Sequence, residues 1–165
     1  MLLGTTPAKN NPPDTEVLVI HLIMQNRYAQ AYEMLTAQKA VSASGLYNTA
    51  LCLHWGGSYH EALNRLESIR LSPQVNNSSR LEGNREYMQI RNKQNQTSDY
   101  LQGISETYIQ AFPVLASDDI IRLKTDCWLQ LEDYAKVIAI ATPIASKGYS
   151  DITTALNIAN TSKHE

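Results

Sequence analysis

One short phrase constrains the fold of this chain more than any other feature. It is a polar or glycine turn, a tyrosine, and then a helix-forming stretch with a small or apolar residue three positions on. The instances are NRYAQA, GSYHEA, SDYLQG and EDYAKV. They carry Tyr28, Tyr59, Tyr100 and Tyr134, followed by Ala31, Ala62, Gly103 and Val137. The tyrosines lie 31, 41 and 34 residues apart. A period near ~34 residues marks stacked helix–turn–helix units. Each tyrosine then opens the second helix of a pair. The small residue sits where two helices cross closely, because a large side chain there would push the axes apart.

The clearest unit runs from Ser44 to Pro73. Leu46, Ala50 and Leu53 recur at helical spacing in its first helix, and Gly56-Gly57 breaks it by supplying a left-handed residue. Ser58 and Glu61 have capping-box spacing, Ala62, Leu63, Leu66 and Ile69 make one face of the second helix, and Pro73 stops it. The pattern predicts an all-α chain of about four helix pairs, at about 15–39, 44–72, 78–112 and 117–147. A capping helix follows at about 151–160, and residues 1–14 read as a flexible lead to a repeat domain over 15–162. Within the third pair a polar helix is expected from about Ser78 to Lys93 and a second from Ser98 to Phe112, with Lys93 to Thr97 as an alternative long loop. Ser117 is the expected N-cap of the fourth pair.

Residues 44–73 resemble a tetratricopeptide repeat. Leu46, Ala50, Leu53, Gly57-Ser58-Tyr59, Ala62, Leu66 and Pro73 fill the places of that pattern. Ile69 replaces the usual small residue, Pro73 falls one residue early, and Val137 holds the small-residue place of the fourth unit. Tyr28, Ala31, Ala50, Tyr59, Ala62, Pro73, Tyr100, Gly103 and Tyr134 are then the structural repeat positions. The resemblance implies an α-α superhelix whose concave surface, made by the first helix of each pair, binds an extended peptide or a partner helix. Carried onto this sequence, the groove positions are Tyr47, Leu51, His54 and Trp55 in the second unit. In the fourth they are Arg122, Asp126, Leu129 and Gln130, and in the first Glu16, Ile20, Ile23 and Met24. Members that clamp a C-terminal carboxylate use Lys and Asn where this chain has Tyr47 and Leu51, so it does not resemble that subgroup.

Catalytic patterns are sparse. His60-Glu61-Ala62-Leu63-Asn64 begins like the H-E-x-x-H zinc motif, but Asn64 stands where the second histidine ligand belongs. No P-loop, dinucleotide-binding glycine loop or G-x-S-x-G elbow is present. The reading is therefore no enzyme, no cofactor and no metal. A metal-dependent enzyme is the remote alternative.

Composition narrows the partners. The formal net charge is −2, so there is no basic excess of the kind that neutralises phosphates, and nucleic acid is not expected. The longest apolar run, Val17 to Met24, is far shorter than the ~20 residues of a membrane span, so no membrane insertion is expected. The two cysteines, Cys52 and Cys127, sit in apolar helical patterns and suit a reducing, cytoplasmic setting. The expectation is a protein-binding scaffold or adaptor, with a small secretion or assembly chaperone as the alternative and self-association through an end helix as a further option.

Overall fold

The computed structural model describes residues 12–72 and 84–162, and all regular structure among them is helical. The first two pairs are α1 (Pro12–Met24) with α2 (Tyr28–Ala37), and α3 (Ala43–Trp55) with α4 (Tyr59–Glu67). After α5 (Arg85–Gln94) and the short α6 (Glu106–Ala111) come α7 (Pro113–Gln130), α8 (Tyr134–Ala141) and α9 (Ser150–Ser162). Pro73 and residues 78–83 lie outside the described residues.

Three of the four tyrosine phrases occupy equivalent places. Tyr28, Tyr59 and Tyr134 are the first residues of α2, α4 and α8. Two residues before each, the backbone turns left-handed: φ is 59° at Asn26, 79° at Gly57 and 57° at Glu132. The same pair of backbone bonds closes each turn. Arg27 N–H reaches Leu22 O and Asn26 N–H reaches Ile23 O. Ser58 and Gly57 do the same to Leu53 and His54, and Asp133 and Glu132 to Trp128 and Leu129. This is the Schellman closure, which satisfies carbonyls that a helix end otherwise leaves bare. Three residues past each tyrosine, Ala31, Ala62 and Val137 are fully buried at the crossing.

The helices stack in order, α1 on α2, α2 on α3, α3 on α4, then α4 directly on α7, α7 on α8 and α8 on α9. α1 also touches α3, and α3 touches α7, so α1, α3 and α7 form an inner row. One continuous core joins α1–α4, residues 100–109 and α7, and smaller clusters bind α8 and α9 to its end.

The expected third pair is not a pair. α5 carries no buried residue and is held at its C-terminal half, where Arg91 donates to the Tyr149 hydroxyl at 2.8 Å and the Asn95 side chain donates to Lys147 O at 2.7 Å. Instead of a helix from Ser98 to Phe112 there is a 3-10 turn at Asp99–Leu101, extended backbone at Gln102, and α6 only from Glu106. Two contacts explain this. A Cβ at Gly103 would come within 3.3 Å of the Ile20 backbone, so residue 103 lies flat on α1. Asn48 then takes both backbone groups of Ile104, which a helix would need for itself: its side-chain N–H donates to Ile104 O, and Ile104 N–H donates to Asn48 Oδ1, each at 2.9 Å. Ser105 restarts the helix by capping the Tyr108 N–H at 3.0 Å.

Two expected caps also differ. Ser117 lies inside α7, which begins at Pro113, where a missing N–H costs nothing. Ser58 makes no side-chain cap to α4, because its φ and ψ of −87° and 62° do not aim the hydroxyl at the first turn. Gly57 supplies the expected left-handed residue.

Candidate functional site

The inner row is where the groove was expected, and the chain fills it with its own residues 97–109. Tyr47 and Leu51 are therefore interior residues and not an open surface, at 0% and 2% exposure. The Tyr47 hydroxyl donates to the Tyr100 carbonyl, beside the Asn48 clamp on Ile104. In the first unit, Glu16 accepts from the Ser44 hydroxyl at 2.6 Å and from the Glu106 N–H, Ile23 is buried, Ile20 packs under Gly103, and Met24 is exposed. The crossing strap thus consumes most of the polar and apolar valence of the expected groove.

Arg122 is likewise a hub of the interior, 1% exposed. Its guanidinium donates to Asp151 through Nε and Nη2, to Asp99 through Nη1 at 2.9 Å, and to the Thr97 carbonyl at 2.9 Å. It lies between the rings of Tyr100 and Tyr149, 4.6 and 4.3 Å from their centroids. Burial opposes its charge, but the Asp151 and Asp99 carboxylates outweigh that and raise its pKa. Tyr100, expected to open a helix, is instead one side of this sandwich. Beside it, Asp118 accepts from Lys147 at 2.8 Å and from the Tyr149 hydroxyl at 2.7 Å. Asp119 accepts from the Tyr108 hydroxyl at 2.9 Å. Burial, helped by Asp99 and Asp118, pushes the Asp119 carboxyl up to about 7 against the opposing pull of Tyr108 and Arg122.

His54 and Asp126, expected in different units of the groove, are brought into direct contact: His54 Nε2 meets Asp126 Oδ2, with the Tyr59 ring edge-on to the imidazole. The contact exists because α3 and α4 pack straight against α7. Leu129 is half-buried, and Gln130 is exposed.

Trp55 alone of the second unit's groove positions presents a large apolar surface. It is 65% exposed and stacks on Tyr28, with ring centroids 4.7 Å apart and planes 21° from parallel. The repeat creates this pair. α2 and α3 run side by side in opposite directions, so the first residue of one meets the last of the other. The two rings border an open hollow of about 440 Å³ at the turn end of the stack. Tyr32, Leu53 and the edge of Cys52 add apolar wall, Asn26 and Gln30 add amides, and Arg27 is the one charged residue of the lining among the described residues. Arg27 is exposed and has no side-chain hydrogen bond or ion pair among the described residues. A volume of this size accommodates a few side chains and falls within the roughly 300–1,000 Å³ usual for ligand sites.

Burial pushes the Cys52 thiol up to about 12, so at neutral pH it faces the hollow as a protonated, apolar group and not as a nucleophile. Burial does the same to Cys127. Among the described residues no three His, Cys, Asp or Glu side chains converge as a metal-ligand set, and no helix is long and apolar enough to cross a membrane. The chemistry on offer at the hollow is stacking, amide hydrogen bonding and one cation. No protein-family model, curated protein or solved structure matches the chain.

Proposed function

We propose that this chain is a non-catalytic interaction module of the helical-repeat, tetratricopeptide-like kind, and that it engages a partner protein at the turn end of the stack, on the Tyr28–Trp55 hollow, and not along the inner row. The observation that carries this reading is the exposed tryptophan held flat on a tyrosine beside an open, mixed-polarity hollow. A large apolar ring kept in water offsets its exposure when a partner covers it, and such rings are the side chains that dominate protein interfaces. The stack also fixes Trp55 before binding, which lowers the entropy lost on association.

Quantitative affinity capture from lysate of the source cells tests this, with parent, Trp55→Ala and Gln130→Ala chains compared at equal helical circular dichroism. Trp55→Ala should lose the captured proteins and Gln130→Ala should keep them. An unchanged set with Trp55→Ala would refute the reading.

A further inference from the structure

The hollow has a charge character as well as a shape, and we infer from it that the occupant is an acidic partner segment with an aromatic residue beside its Asp or Glu. This inference rests on the binding reading above and adds the chemistry of the ligand.

Three observations carry it. Among the described residues, Arg27 is the only charged residue in the lining, and none is Asp or Glu. The chain as a whole is net negative, so a described lining whose one charge is a cation departs from the average of the molecule. The Arg27 guanidinium also spends none of its donors on the described chain, whereas Arg122 spends its donors on Asp151, Asp99 and Thr97. A free guanidinium at the rim of an aromatic hollow matches a carboxylate, which it can hold through two parallel N–H bonds.

The ring follows from Trp55. Its exposed surface stands beside Tyr32 and Leu53, and an incoming aromatic side chain would find a ring to stack on and apolar wall to cover. Asn26 and Gln30 on the same lining present amide donors and acceptors, the groups that an extended peptide backbone requires. A basic peptide would place its charge against Arg27, and like charges at an interface oppose binding.

The test uses the full chain and short fluorescein-labelled peptides read by fluorescence anisotropy. One peptide carries Glu-Glu-Phe, and its partners replace the acids by Gln, the acids by Lys, or the Phe by Ala. The acidic aromatic peptide should bind best, weaken about threefold to tenfold on loss of its acids, and weaken further as salt rises from about 50 to 300 mM. Trp55→Ala should reduce its binding roughly 30-fold. Arg27→Glu should reverse the ranking, so that the Lys peptide overtakes the Glu peptide; this variant sits on an exposed turn, and its fold is checked by circular dichroism. If the aromatic peptides bind with dependence on Trp55 but without regard to their charge or to Arg27, the charge inference fails while the hollow remains the contact site. If no peptide responds to Trp55→Ala, or none binds, the inference and the reading beneath it both fail. A second copy of this chain as the occupant would appear as concentration-dependent mass in light scattering that Trp55→Ala abolishes, and it would overturn the peptide assignment.

Discussion

Replacing Asn48 should damage this protein more than its ordinary appearance in the sequence suggests. Its amide is 1% exposed and makes both of its bonds to one residue, Ile104, fifty-six positions away. Asn48→Leu keeps the approximate volume but removes both partners. Ile104 N–H and C=O then stay buried with nothing to bond, since Ile104 itself is only 6% exposed. Each stranded buried group costs about 1–3 kcal/mol, so the variant should lose about 2–6 kcal/mol. That is a large share of the ~5–15 kcal/mol typical of a whole domain. Asn48→Ala adds a cavity and should be worse; Asn48→Asp keeps the acceptor for Ile104 N–H but sets an oxygen against the Ile104 carbonyl. The assay is urea unfolding followed by circular dichroism and by the fluorescence of Trp55 and Trp128, read at constant m. Amide exchange at Ile104 adds a local reading. If Asn48→Leu unfolds within about 0.5 kcal/mol of the parent, the strap is not held by this clamp and the account of the filled inner row is wrong.

Three further outcomes follow from the same geometry. Arg122→Met leaves the carboxylates of Asp99 and Asp151 without their buried cation and should cost about 3–5 kcal/mol; Arg122→Lys should recover little, because an ammonium cannot span both acids and the Thr97 carbonyl while lying between two rings. A lysine variant within about 1 kcal/mol of the parent in urea would contradict that. Glu132 holds φ at 57°, a conformation that favours glycine, so Glu132→Gly should raise the melting temperature by about 2–4 °C in a calorimetric scan; an unchanged or lower value would deny strain at that turn. Asp119 titrates near 7 in the fold and near 3.8 unfolded, so the folded chain binds the extra proton between those values and stability is lost as pH rises through about 7. Going from about pH 8 to about 5.5 should stabilise the parent by about 2 kcal/mol relative to Asp119→Asn, and parallel pH profiles for the two chains would refute the raised carboxyl.

Local features were legible in the sequence, and contacts between distant segments were not. The turns before Tyr28, Tyr59 and Tyr134 could be read because a Schellman turn and its crossing residue lie within a few positions of each other. SDYLQG follows the same pattern, yet Tyr100 sits in a 3-10 turn under Arg122, because Asn48 and Ile20 impose an extended path on residues 102–105. No local window contains that instruction. The same strap contacts Tyr47 and Arg122, which were expected at the surface and are interior, as is Leu51. Signals for it existed in hindsight: Asn48 is a lone amide inside an apolar helical run, and Ser105 precedes Tyr108 at N-cap spacing. The exposure of Trp55 followed from its place at a helix end before Gly56-Gly57, but its stacking on Tyr28 needed the antiparallel packing of α2 on α3.

Hydrogen exchange of the full chain, free and saturated with the acidic aromatic peptide, tests most directly where the molecule makes contact. New protection is expected only at residues 26–32 and 53–58, with the amides of 44–51 and 100–106 unchanged because the chain already covers them. New protection along 44–51, or release of 100–106 on binding, would mean that the strap gives way and that the inner row is the binding surface after all.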